Sequence, residues 1–147
     1  MGIRDLADYV SRVWFIRDWH LGWTWEFSWT GGSVNTWRYF KDEEVVGLDK
    51  ELVSKLDSAR HVSGVPFTIT SGKRSPDENQ QAGGVQDSAH ETGLAVDLRV
   101  PDGTSRFLMV SALLQAGFKR MGVYDKHIHV DIDASKPQNV LWVGQSH

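Results

Sequence analysis

Hydrophobic positions recur along this chain with two different periods, and the changes of period outline its elements. Ile3, Leu6, Val10, Val13 and Trp14 fall at helical spacing, which predicts an amphipathic helix over 3–16. From Trp23 to Thr30 the period drops to two. Trp23, Trp25, Phe27 and Trp29 alternate there with Thr24, Glu26, Ser28 and Thr30, as in a strand with one aromatic and one polar face. Gly31-Gly32-Ser33 supplies a turn, and Val34 to Phe40 reads as a returning strand. Leu52, Val53, Leu56 and Ala59 restore helical spacing and predict a helix over 50–62, stopped by Ser63-Gly64. Val65 to Thr70 is β-rich, with Pro66 near its start where a missing N–H is tolerated. Ser71 to Pro76 forms a turn, and the polar, glycine-bearing stretch 77–85 reads as a loop. Ala95 to Val100 and Lys126 to Ile132 are strands. Between them Thr104 or Ser105 caps a helix over 105–116, Gly117 ends it, and Phe118 to Tyr124 is a short strand or bend. Lys136-Pro137 opens a tail ending in Val140-Leu141-Trp142-Val143.

Composition changes this picture in a few places. With 147 residues the chain is long enough for one domain with a proper core. A formal charge of -3 gives no support to a general polyanion binder, so no nucleic-acid partner is expected. The absence of cysteine removes disulfides, thiolate metal sites and cysteine nucleophiles together. No apolar run is long enough for a bilayer, and charges break up the first twenty residues. The expectation is therefore synthesis in the cytoplasm without a signal peptide, and no membrane insertion. Six of the seven tryptophans lie between Trp14 and Trp37, which divides the chain into an aromatic-rich extension, 1–38, and a main domain, 39–147. The aromatic face reads first as a hydrophobic layer on the main domain or in a homodimer. The alternative is a platform for sugars or a partner protein.

The chemistry is concentrated in Ser88-Ala89-His90-Glu91-Thr92-Gly93-Leu94-Ala95-Val96-Asp97 and in His127-Ile128-His129-Val130-Asp131. Period-two alternation puts His127, His129 and Asp131 on one face of their strand, so a histidine, a carboxylate and another histidine can converge between neighbouring strands. Two neutral imidazoles and one carboxylate suit Zn²⁺, and three protein ligands leave a fourth tetrahedral position open, as catalytic sites do. His90-Glu91 begins a zincin motif, but Leu94 stands where its second histidine would be. His20, His61 and His147 have no partners in the sequence and read as surface histidines.

The stretch from Tyr39 to Asp131 resembles the M15 family of zinc peptidases, which share the D-Ala-D-Ala carboxypeptidase and Hedgehog-like fold, and especially its small bacteriophage-type members. Five features carry the resemblance in the family's order: Ser71-Gly72-Lys73-Arg74-Ser75-Pro76, Asn79, Gly83-Gly84, the His90 to Asp97 motif, and His127-x-His129-Val130-Asp131. The resemblance implies an α+β fold, with helices packed on an antiparallel sheet, and a single zinc ion held by His90, Asp97 and His129. It implies a metallopeptidase that uses a zinc-activated water against peptidoglycan stem peptides or cross-links, as a D,D- or L,D-carboxypeptidase or endopeptidase. Arg74 is then the partner of a substrate carboxylate or oxyanion, or else pairs with a structural carboxylate such as Asp77. Ser88 is a substrate-binding or ligand-orienting residue, and His127 stabilises the tetrahedral intermediate. Where many members carry an acid three positions before the last ligand, this chain has Lys126. Asp125, Asp131 and Glu91 are the substitutes: Asp131, on the His129 face, is the first choice as a site residue, either as base or as a group that orients a ligand, and Asp125, which needs a bulge at the strand's start, is the second. An endolysin released through a holin, or a virion-associated wall enzyme, would meet such a substrate. The alternative is a zinc-stabilised wall-binding or phage structural module without turnover.

Overall fold

A computed structural model describes residues 36–145. The helix expected over 3–16 and the aromatic strand Trp23 to Thr30 lie outside the described residues. A short 3-10 helix, Asp42–Val45, leads into helix α1, Lys50–Ser63. Strand β1 (Ile69–Ser71), helix α2 (Pro76–Gln81), strand β2 (Ala95–Arg99) and helix α3 (Gly103–Gln115) follow. Strands β3 (Arg120–Val123), β4 (His127–Asp131) and β5 (Val140–Val143) complete the chain. The strands form one sheet in the order β1-β2-β4-β3-β5. No helix among the described residues is long and apolar enough to cross a membrane.

The local reasons for these elements are visible in the side chains. Asp49 caps α1 by accepting from the N–H groups of Glu51 and Leu52, and Gly64 closes it in the left-handed region at φ 68°. Leu52, Val53, Leu56 and Ala59 of α1 and Met109, Ala112 and Leu113 of α3 are buried. They share one core with Val96 and Leu98 of β2, Met121 of β3, and Ile128 and Val130 of β4. The alternate positions of β2 and β4 face away from that core, and these carry the chemistry.

The structure corrects several expectations. Residues 36–40 form bends rather than a returning strand, because the backbone of Tyr39 is engaged by α1: its N–H donates to Asp57 and its carbonyl accepts from Arg60. The strand expected over 65–70 is confined to Ile69–Ser71, since the N–H of Val65 donates to Ser63 at the end of α1. Residues 77–81, expected in a loop, belong to α2. Ser75 and Glu78 form a reciprocal capping box there, with Pro76 in the first turn, where its missing N–H costs nothing. The cap of α3 is Asp102, not Thr104 or Ser105, and its carboxylate accepts from the N–H and hydroxyl of Ser105. The sheet is mixed rather than wholly antiparallel, because the expected tail pairs parallel with β3 as β5.

One glycine ties the core to the site. Gly93 sits at φ 74°, its carbonyl accepts from the N–H of Asp49, and a Cβ there would lie 2.2 Å from the Gly47 carbonyl oxygen. Gly64 has a similar φ, but its Cβ position has nothing within 4 Å. Both Gly→Ala changes incur the left-handed strain of about 1 kcal/mol, while Gly93→Ala must also displace backbone. Thermal unfolding is expected to show Gly93→Ala at least about 2 kcal/mol less stable than Gly64→Ala. Equal losses would mean that the close approach is unimportant.

Candidate metal centre

The site is built on a single row of residues that crosses the sheet. In the strand registers Ser71 lies opposite Asp97, Asp97 opposite His129, His129 opposite Gly122, and Gly122 opposite Trp142. Directly opposed residues on one face are near enough to touch, so the Asp97 carboxylate meets the His129 imidazole, Oδ1 to Nδ1, at 3.0 Å. His90 reaches this pair from the turn after α2, where it is 3% exposed. Its Nδ1 lies 2.7 Å from the Gly72 carbonyl, which can only accept, so that nitrogen carries the proton and Nε2 is left with its lone pair. Nε2 lies 3.3 Å from His129 Nδ1 and 3.4 Å from Asp97 Oδ1.

Three donor atoms with these mutual separations fit a small tetrahedral cation. Bonds of about 2.05 Å give a tetrahedron with an edge of about 3.3 Å. Two imidazole nitrogens and one carboxylate oxygen match the donor preference of Zn²⁺. His90, Asp97 and His129 are the His/Asp group whose ligand atoms converge among the described residues. They line a cleft of about 810 Å³, together with Arg74, Ser88, Tyr124, Lys126, His127, Asp131 and Trp142.

Asp97 and His129 are held from behind by a second set of charges. Arg74 donates from Nη2 to Asp97 Oδ2 at 2.7 Å and from Nε to the Ser71 hydroxyl, so its carboxylate partner is Asp97, not Asp77. Asp131 Oδ2 lies 3.2 Å from His129 Nε2, and Arg120 Nε donates to both oxygens of Asp131 at 2.8 and 3.1 Å. Asp131, 2% exposed, therefore sits behind the His129 ring, where it fixes the tautomer that offers Nδ1 to a metal. Burial alone would raise the Asp97 and Asp131 pKa values, but the bonds from the histidines outweigh it and both carboxyls lie below the ordinary range. Burial would also lower the His129 pKa, and the bonds to Asp131 and Asp97 instead raise it.

His127 lines the cleft and stacks on Tyr124, with ring centroids 4.3 Å apart. Its pKa is lowered, chiefly by burial, against the attraction of Asp97. Ser88 is buried, and its hydroxyl lies 3.4 Å from the His90 N–H. Glu91 accepts from Asn79 Nδ2, a contact that fastens the turn carrying His90 to α2. The same Asn79 explains Gly84, since a Cβ there would lie 2.0 Å from Asn79 Oδ1. Asp125 is exposed on the turn before β4, where its charge acts on His127. Arg120, Tyr124 and Trp142 were not legible as site residues. Alternation along β3 could have flagged Arg120 only once β3 was known to pair with β4.

A family model described as Peptidase M15 matches residues 28–133, most of the chain, and so covers all the converging donors. No match to a curated protein was found.

Added zinc is expected to raise the unfolding temperature, by about 4 kcal/mol of stabilisation at a thousandfold excess over Kd. Asp131→Asn should weaken zinc binding about 10–100-fold, as calorimetry would show. In the metal-free protein, the raised His129 pKa contributes stability below its ordinary 6.5, and this is lost as pH rises through the raised value. The lowered Asp131 pKa contributes above 3.8 and is lost as pH falls through the lowered value. Metal-free stability should therefore peak between these ordinary values, and His129→Gln should flatten the alkaline side of a pH series of thermal melts.

Proposed function

The chain belongs to the peptidase M15 family, and from that membership we propose a zinc-dependent peptidase acting on peptidoglycan stem peptides or cross-links. The observation that carries this reading is the open triangle of His90 Nε2, Asp97 Oδ1 and His129 Nδ1 on the wall of a cleft large enough for a short peptide. His90, Asp97 and His129 would hold a zinc ion, which when bound would supply Lewis acidity and lower the pKa of a water toward neutrality.

The chain's own residues divide the rest of the work. Arg74 holds Asp97 through Nη2 and the Ser71 hydroxyl through Nε, and it lines the cleft. Its guanidinium is placed to receive a substrate carboxylate or the developing oxyanion. His127, whose pKa burial lowers, lines the cleft, where an imidazole can move a proton toward the leaving amine. Asp131 orients His129 and is neutralised by Arg120, which suits a supporting role better than that of a base. Ser88, on the same wall, is placed to bond the substrate backbone. Such an enzyme would reach the wall after holin-dependent release or as part of a virion.

One observation favours a second reading, a zinc-stabilised wall-binding module without turnover. Both carboxylates that line the cleft, Asp97 and Asp131, are already paired with arginines. Hydrolysis of purified peptidoglycan by zinc-loaded protein, with the products identified by mass, separates the two. Muropeptides are expected from the wild type and none from His129→Ala, while His127→Ala should be slower by about 10²–10⁴ with zinc still bound. Zinc binding without cleavage of walls of either Gram type would overturn the peptidase and leave the binding module.

A further inference from the structure

The parallel strand β5 lies beyond the matched residues 28–133, yet it completes one wall of the cleft. Its Trp142 stands at the end of the row that carries the ligands, separated from His129 only by Gly122. Because Gly122 has no side chain, the indole extends across it to 5.7 Å from the His129 ring. A Cβ on Gly122 would lie 2.5 Å from Trp142 Nε1 and 2.8 Å from the Tyr124 ring. Gly144 makes the same allowance on the other side, where a Cβ would lie 2.4 Å from Tyr124. Two glycines thus clear space for two rings, Trp142 on β5 and Tyr124 just after β3.

The rings are fixed within that space. Trp142 Nε1 donates to the Tyr124 hydroxyl at 3.1 Å, Tyr124 stacks on His127, and the Arg120 guanidinium lies 5.5 Å from the Trp142 ring centroid. Since the indole N–H is already satisfied, Trp142 has only its apolar surface to offer a ligand in the cleft. It is partly exposed there, next to a metal ligand. A flat, immobilised apolar surface costs little entropy on binding and favours aliphatic groups over polar ones of equal size.

We propose that Trp142, held by Tyr124, is a specificity-determining residue that packs against an uncharged aliphatic side chain of the substrate beside the scissile bond. This deepens the peptidase reading and rests on it for the bond that is cut, but the packing itself is an equilibrium property that can be measured without turnover. A binding preference in a protein that cleaves no peptidoglycan would therefore sink the peptidase and leave the subsite standing.

The test is titration of the zinc-loaded full chain with two acetylated dipeptide amides. They differ only in carrying leucine or asparagine at one position, which are of similar size and both uncharged. The indole N–H resonance of Trp142, identified by its absence from Trp142→Phe, should shift with the leucine peptide, whose Kd should be about tenfold lower. Trp142→Phe should keep most of the preference. Trp142→Ala should abolish it while zinc affinity is unchanged. Gly122→Ala retains the tryptophan but pushes its ring aside, and should abolish the preference too. An indole resonance unmoved by saturating peptide, no binding of either peptide, or a preference that survives Trp142→Ala would overturn the proposal.

Discussion

The site depends above all on the register between β2 and β4. With Asp97 opposite His129, a carboxylate and an imidazole stand side by side on the face turned away from the helices. Slipping the pairing by one residue would set Asp97 against Ile128 and send one of the two strands' polar residues into the core. That slip is opposed by Val96, Leu98, Ile128 and Val130, each fully buried on the other face. The apolar half of the alternation therefore fixes the position of the polar half, and core packing determines the geometry of the His90, Asp97 and His129 group that could hold a metal.

Charge is arranged around this register in two linked sets. Asp97 lies between Arg74 and the two imidazoles, and Asp131 lies between Arg120 and His129. Each buried carboxylate thereby has a cation on one side and a histidine on the other, which offsets the cost of removing it from water. The outer arginines come from different places, Arg74 from the turn after β1 and Arg120 from the strand opposite Asp131. His90 completes the centre from a turn pinned in three ways. Gly72 accepts its Nδ1–H, Asn79 bonds Glu91, and Gly93 is pressed onto the start of α1. The same economy extends to the aromatic wall, where Gly122 gives up a side chain so that Trp142 can approach His129.

Much of this was legible in the chain and some was not, for reasons that differ by residue. Helical spacing located α1, and period-two alternation located β2 and β4, because each pattern follows from one element packing on one core. Helix α2 reads as a loop although Ser75, Pro76 and Glu78 spell out its cap, since polarity outweighs the capping signal over so short a helix. Strand β5 looked like a tail because Val140 to Val143 is short and its pairing with β3 is non-local. Sequence alone determined the two motifs, their donor types and the faces they occupy, since alternation and donor chemistry are local properties. Tertiary structure alone decided that Arg74 pairs with Asp97 and that Asp131 stands behind His129. It also decided that Arg120 and Trp142 join the site, because strand order and register bring together residues that no spacing in the chain relates.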